Sequence, residues 1–244
     1  MALFNLFFGK KKDEEEDDGS EYFIENPDTD ALPDEMQFGI SLSQVIGEHN
    51  NFYIDSLEAK KDVDSCKESM RKWYRISNSQ EAHDFIQSRT KEGFRTLYNN
   101  IIDLYLKTNG NAALLPKNDW GDEIAGYFEN LSSVLPLEEG KEWFPNPQKD
   151  FLVGCDAYDY GRIAFVARSC YTAGYITAGE AWAYIDEIAR MARKSFNNWE
   201  DYGKSYLLGR ALWCGNSYDD FNDFAEVTRY LVEDEDSPWV MYEW

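Results

Sequence analysis

The sequence predicts an all-α protein, a bundle of antiparallel helices with short connections. Apolar residues recur at spacings of three to four along most of the chain, whereas alternating strand patterns are almost absent. Helix N-cap signatures precede three of these segments. Connections of only a few residues place consecutive helices antiparallel.

Residues 1–35 are predicted to be a flexible N-terminal segment. Met1 to Phe8 are apolar, three lysines follow at 10–12, and an acidic run occupies 13–18. A secretory signal has its positive charge before the apolar run, so this order argues against one. Weak membrane contact through the apolar octet is an alternative, which the acidic run opposes. No apolar stretch approaches the ~20 residues of a membrane span, so we expect no integral membrane segment.

Residues 36–150 are predicted to be an N-terminal helical part with a loop-rich seam. Helical spacing runs from Met36 to Leu57, with breaks near Gly47 and Asn51, and a second helix covers 62–74. Asn78 with Glu81 forms a capping-box pattern at the start of a long amphipathic helix. Turn residues concentrate at 107–120 and 131–150, on either side of a short helix at 122–130.

Residues 151–244 are predicted to form a C-terminal helical bundle that packs on the preceding part as one globular unit. Residues 160–174 are apolar on nearly every face, which is typical of a helix at the centre of a bundle. Thr177 with Glu180, and Asn197 with Glu200, are capping-box patterns that open the next two helices. A last helix is predicted to begin at Ser217.

The same region resembles an uncharacterised bacterial family, the domain of unknown function with the number 1266. The resemblance is clearest over 156–213, in the runs YDYGRIAFVAR (158–168), WEDYG (199–203) and SYLLGRALW (205–213), and weaker in WYRISN (73–78). The block begins with Tyr158 where the family is expected to have Trp. The resemblance implies no activity, because none is established for that family.

Composition and motifs exclude several function classes. The formal net charge of −22 argues against nucleic-acid binding, which needs a basic surface. The four cysteines, Cys66, Cys155, Cys170 and Cys214, have neither zinc-ligand nor disulfide spacing, and we expect buried thiols in a cytoplasmic protein. No phosphate loop, HExxH, EF-hand or GxSxG motif occurs, so we predict no catalytic residues, metal or cofactor.

One polar constellation stands out, formed by Asp159, Arg162, Arg168 and Arg210, with Tyr206 beside it. One hypothesis is an anion-binding pocket in the bundle core, and the other is a buried ion-pair network that fixes helix register. Three tryptophans are predicted as aromatic neighbours of this constellation, although aromatic residues at helical spacing are usually core: Trp182, Trp199 and Trp213.

The favoured function is a non-enzymatic interaction protein that binds a basic protein partner, because strong acidity steers a basic partner to the surface. An immunity protein that neutralises a secreted toxin is one such case, suggested by analogy alone. The alternative is an enzyme of unknown chemistry that uses the Asp/Arg pocket. A membrane-associated scaffold ranks third.

Overall fold

The all-α prediction is confirmed in the computed structural model, which describes residues 22–134, 150–215 and 218–244. Within these ranges the backbone forms helices and loops, and its only β feature is an isolated antiparallel bridge between Phe52 and Ala59. The apolar octet, the acidic run at 13–18 and the start of the last helix at Ser217 lie outside the described residues. The antiparallel order of consecutive helices stays a prediction.

The first part contains six helices within the described residues. Their bounds are α1 Asp34–Ser41, α2 Gln44–His49, α3 Val63–Ser69, α4 Ser79–Lys91, α5 Arg95–Thr108 and α6 Asp119–Val134. A π-helical turn, Met70–Tyr74, extends α3. Helical structure was predicted to reach Leu57, but α2 ends at His49 because Asn51 adopts a left-handed backbone with φ 57°. Residues 51–60 form an irregular connection, which we call the 51–60 loop.

The C-terminal part places its most buried helix at the centre. Its helices are α7 Asp156–Thr172, α8 Ala178–Ser195, α9 Trp199–Cys214, α10 Tyr218–Glu233 and α11 Pro238–Met241. Helix α7 packs against α8, α9 and α4, and also against α2 and α3. Gly161 permits one of these close approaches, because a Cβ there would lie 2.9 Å from the Leu42 carbonyl oxygen.

The caps explain where several helices begin. Thr177 and Glu180 form the complete predicted capping box at the start of α8. The third box was predicted to use Asn197, but Asn198 caps α9 by accepting from the Asp201 amide. Both adjacent asparagines suit an N-cap. Asn198 takes this position because Trp199, the next residue, is buried in the core as the first residue of α9.

Residues 22–33 correct the predicted extent of the flexible segment. Phe23 is buried in the main core, and the Asn26 backbone N–H donates to the Asp55 carboxylate at 2.8 Å. The packed part of the chain therefore begins by Phe23 rather than at Met36.

The two ends of the described chain also meet. The indole of Trp239 donates to the Ser41 carbonyl at 2.8 Å, which joins α11 to α1.

Across the described ranges, no helix combines the length and the apolar character needed to cross a bilayer.

Candidate functional site

Asp159 binds the start of α5 instead of the neighbouring arginine on its own helix. Its two carboxylate oxygens accept from the backbone N–H groups of Phe94 and Arg95 at 3.0 and 2.8 Å, and Arg95 Nη1 lies 3.2 Å away. Helix α5 has no side-chain cap of its own, so Asp159 satisfies amides that the helix start leaves unpaired. The expected ion pair between Asp159 and Arg162 is therefore replaced by one with Arg95.

Arg168 lies further along α7 and anchors the 51–60 loop. The side chain is fully buried and donates to Ser43 Oγ at 2.8 Å and to the carbonyl oxygens of Tyr53 and Ser56 at 2.5 and 2.6 Å. Burial lowers the pKa of Arg168 to about 9, against the attraction of Glu48 and Asp55, so the guanidinium is charged at neutral pH. Arg168 is a structural residue that holds a loop to the central helix.

Arg162 contacts neither the start of α5, as Asp159 does, nor the 51–60 loop, as Arg168 does. Aromatic rings surround its guanidinium instead. Its guanidinium carbon lies 5.6, 5.0 and 5.5 Å from the ring centroids of Tyr74, Tyr158 and Trp213. Arg162 is half-buried, and within the described ranges no carboxylate lies within 4.0 Å of its guanidinium. Cation–π attraction stabilises this cation where an ion pair was expected.

Arg210 and Tyr206 approach the same place from α9. Arg162 and Arg210 both influence the pKa values of the Tyr158 and Tyr206 phenols. The Tyr158 side chain packs directly over Gly209. Burial raises the pKa of both phenols, to about 12 for Tyr158, although Arg162 and Arg210 act in the opposite direction. The hydroxyls therefore keep their protons and can donate. We call the following six residues the arginine–tyrosine cluster: Tyr74, Tyr158, Arg162, Tyr206, Arg210 and Trp213.

The cluster includes four of the predicted site residues and leaves the others apart. Arg162, Tyr206, Arg210 and Trp213 come together, whereas Asp159 and Arg168 serve the two structural contacts described above. Trp182 packs on the edge of the core, and Trp199 stacks on Trp239 with a centroid distance of 4.9 Å and an interplanar angle of 10°. Trp182 and Trp199 are thus core residues and not neighbours of the cluster.

Sequence reasoning missed three contributors. Tyr74 was noted only within the family-like segment WYRISN, and neither Tyr74 nor Arg95 was assigned a role. His49 stacks on Phe224 with a centroid distance of 3.9 Å, and the Arg210 guanidinium carbon lies 4.4 Å from the centroid of the same ring. Burial and Arg210 lower the pKa of His49 to about 3, so its imidazole is neutral. Helical periodicity indicates which residues share a face but not which faces meet, so the sequence could not bring these residues together.

A second candidate surface is acidic. Residues 13–59 and 230–244 contain no lysine or arginine, and the parts of these segments that form α1 and α11 pack together. The pKa of the Tyr242 hydroxyl is raised by burial and by three carboxylates, those of Asp34, Glu25 and Asp55. Asn26 connects Asp55 to Glu58 through hydrogen bonds of 2.8 and 3.4 Å. We call Glu25, Asp34, Asp55 and Glu58 the acidic face.

Within the described part of the chain, the remaining reactive side chains do not assemble a recognisable catalytic or metal centre. Burial raises the pKa of the Cys155 and Cys170 thiols, which disfavours the thiolate needed for nucleophilic chemistry. His83 bonds to the Tyr184 hydroxyl at 2.7 Å and lies 3.5 Å from Glu180, whose carboxylate also caps α8. Among the residues that the structure describes, no three His, Cys, Asp or Glu side chains are grouped to hold a metal ion.

Comparison with known proteins identifies one relationship. No curated protein and no solved structure matches the chain. The family model described as "Protein of unknown function (DUF1266)" matches residues 69–244, which contain α4 to α11 and the whole arginine–tyrosine cluster. Because this match covers well over half of the chain, the protein belongs to the DUF1266 family.

Proposed function

We propose that this protein is a non-enzymatic interaction protein that binds a basic protein partner through the acidic face. The observation that carries the proposal is the packing of α11 on α1, which joins two segments without lysine or arginine. Glu25, Asp34 and Glu58 are exposed and Asp55 is half-buried, so their carboxylates can meet a partner's cations. An acidic surface of this kind accelerates encounter with a basic protein by electrostatic steering.

An immunity protein that neutralises a secreted toxin in a bacterial cytoplasm is the specific case we favour. Such a protein must capture its toxin quickly, and steering by opposite charge supplies that speed. A toxin-like reading frame next to the gene, with a basic product that the protein inhibits, would support this case. A partner with no toxic activity would leave the binding proposal in place and remove the immunity role.

The experiment is capture of the partner from host lysate, followed by stopped-flow association with the purified partner at several salt concentrations. We expect the association rate to fall steeply with salt, because charges more than about 8 Å apart are screened at physiological ionic strength. A double variant, Glu25→Gln with Asp34→Asn, should slow association at low salt by about 3- to 10-fold, since steering accounts for about 10- to 1000-fold in total.

The matched control removes two carboxylates elsewhere. Asp122 and Glu129 are exposed on α6, which packs on α9 and α5 and not on α1. Asp122→Asn with Glu129→Gln makes the same change in net charge and should alter the rate much less. Equal slowing by both double variants would show that only total charge matters, and a rate independent of salt would refute the acidic face as the binding surface.

An enzyme with a pocket in the helical core is the second candidate function. The observation in its favour is the partly buried Arg162, which has aromatic neighbours but no carboxylate within ion-pair distance among the described residues. Because Asp159 binds Arg95 instead, the pocket would offer cations and phenols without a carboxylate. Turnover of a ligand bound at the arginine–tyrosine cluster would support this candidate, and binding without turnover would argue against it.

A further inference from the structure

Among the residues that the structure describes, Arg162 has no carboxylate partner within ion-pair distance. Partial burial of a guanidinium is costly unless a partner compensates it, and most buried arginines have a carboxylate or several carbonyl oxygens. Arg168 on the same helix follows this rule with three oxygen acceptors. Arg162 instead lies against three aromatic rings, those of Tyr74, Tyr158 and Trp213. The site therefore has spare capacity for an anion.

The surroundings add donors and a second cation. The Tyr206 hydroxyl is fully buried and, in the part of the chain that the structure describes, has no hydrogen-bond partner. The Tyr206 ring packs edge-on against that of Tyr158 with a centroid distance of 5.5 Å, and both Arg162 and Arg210 act to lower the pKa of the Tyr206 hydroxyl. A buried hydroxyl without a partner is unfavourable, and an anion at this position would satisfy it.

The cluster opens to solvent on one side. Trp213 is 38% exposed, and Tyr74 and Arg162 are partly exposed, whereas Tyr158 is 3% exposed and closes the inner side. A ligand that approaches between Tyr74 and Trp213 would meet the guanidinium at the end of an aromatic-walled entrance.

The geometry favours a carboxylate on an aromatic body. A planar guanidinium fork pairs with a planar carboxylate through two parallel hydrogen bonds. Phosphate groups are commonly bound at helix N-termini, but Arg162 lies inside α7, away from its N-terminus. The rings of Tyr74 and Trp213 can pack against the organic part of the ligand.

We propose that the arginine–tyrosine cluster binds a small aromatic carboxylate, with the carboxylate on Arg162 and the ring between Tyr74 and Trp213. This inference does not depend on the acidic face, and its failure would leave the partner-binding proposal untouched. The ligand would enter as a small molecule, because Arg162 is half-buried among three aromatic side chains.

The test is isothermal titration of the full chain with four probes. We expect benzoate to bind with one-to-one stoichiometry, and acetate, which lacks the ring, to bind at least about 10-fold more weakly. Benzamide keeps the ring but has no charge and should not bind measurably. Inorganic phosphate should bind more weakly than benzoate. A benzoate Kd weaker than about 1 mM, or a preference for phosphate, would overturn the proposal.

Two variants connect binding to the named side chains. Arg162→Met should weaken benzoate binding by about 10- to 100-fold, the loss expected for a charge-assisted bidentate contact. The matched control is Arg193→Met, which removes an exposed arginine stacked 3.8 Å from the Phe38 ring centroid and should bind as the wild type does. Equal losses in both variants would show a net-charge effect and refute the site.

Trp213→Ala keeps the proposal testable if Arg162→Met fails to fold. Trp213 is partly exposed at the end of α9, so its truncation should leave the fold intact, as circular dichroism would verify. We expect this variant to reduce the preference for benzoate over acetate by about 5-fold or more, since the ring loses one wall. An unchanged preference would contradict the proposed position of the ligand ring.

Discussion

Replacing Arg168 with methionine tests whether this buried cation anchors the 51–60 loop. The change keeps much of the side-chain volume but removes all donors, so the carbonyl oxygens of Tyr53 and Ser56 and the Ser43 hydroxyl lose their contacts. Each buried polar atom left unsatisfied costs about 1–3 kcal/mol. The variant no longer buries a charge, and this gain offsets part of the cost of the three unsatisfied atoms. We therefore expect Arg168→Met to lower the free energy of unfolding by about 4 kcal/mol.

The assay is urea unfolding followed by circular dichroism, together with thermal unfolding. For a chain of this size, 4 kcal/mol corresponds to a decrease in Tm of about 8–16 °C. Arg162→Met is the matched control, because it makes the same change on the same helix at a guanidinium that contacts rings rather than carbonyl oxygens. We expect it to change the free energy of unfolding by about 1 kcal/mol or less.

The sequence predicted a different result for Arg162. A shared ion pair with Asp159 implied a loss of ~3–5 kcal/mol on its removal, because a buried carboxylate would lose its partner. Asp159 in fact pairs with Arg95, so that penalty does not apply. Equal destabilisation by Arg162→Met and Arg168→Met, or full stability of Arg168→Met, would refute the distinction between the two arginines.

Two further predictions concern pH and packing. Because the pKa of His49 is about 3 in the folded state and 6.5 ordinarily, the unfolded chain binds a proton first as pH falls, and stability should decrease by about 4–5 kcal/mol from pH 6.5 to 3. In urea titrations at several pH values, His49→Gln should weaken this dependence of the free energy of unfolding on pH. His83→Gln, the control, should retain it. The same pH dependence in the wild type and in His49→Gln would contradict the prediction. Gly209→Ala should destabilise by about 1–3 kcal/mol because its Cβ would collide with Tyr158, whereas Gly126→Ala, with open space on α6, should stabilise by about 0.5–1 kcal/mol. Similar Tm values for the two alanine variants would show that the contact with Tyr158 relaxes.

Local features were predictable from the sequence because they depend on residues a few positions apart. The Thr177–Glu180 box is of this kind and holds in the structure, and so do most of the predicted helices, although the helical spacing beyond His49 belongs to the 51–60 loop. The partners of Asp159 and Arg168 are 64 and up to 125 residues away, and most of the acceptors of Arg168 are backbone carbonyls, which side-chain patterns do not report. The pattern identified polar residues in apolar helices but not their partners.

The contact between α11 and α1 has a consequence for the order of folding. The Ser41 carbonyl accepts from Trp239, which lies 198 residues later, and the Leu42 carbonyl accepts from Tyr202, 160 residues later. During synthesis, α1 and α2 therefore wait for most of the chain before their buried surfaces are covered. Closing such long loops slows folding relative to bundles with local contacts. The newly made N-terminal helices are thus the part of this protein that most needs chaperone protection on the ribosome.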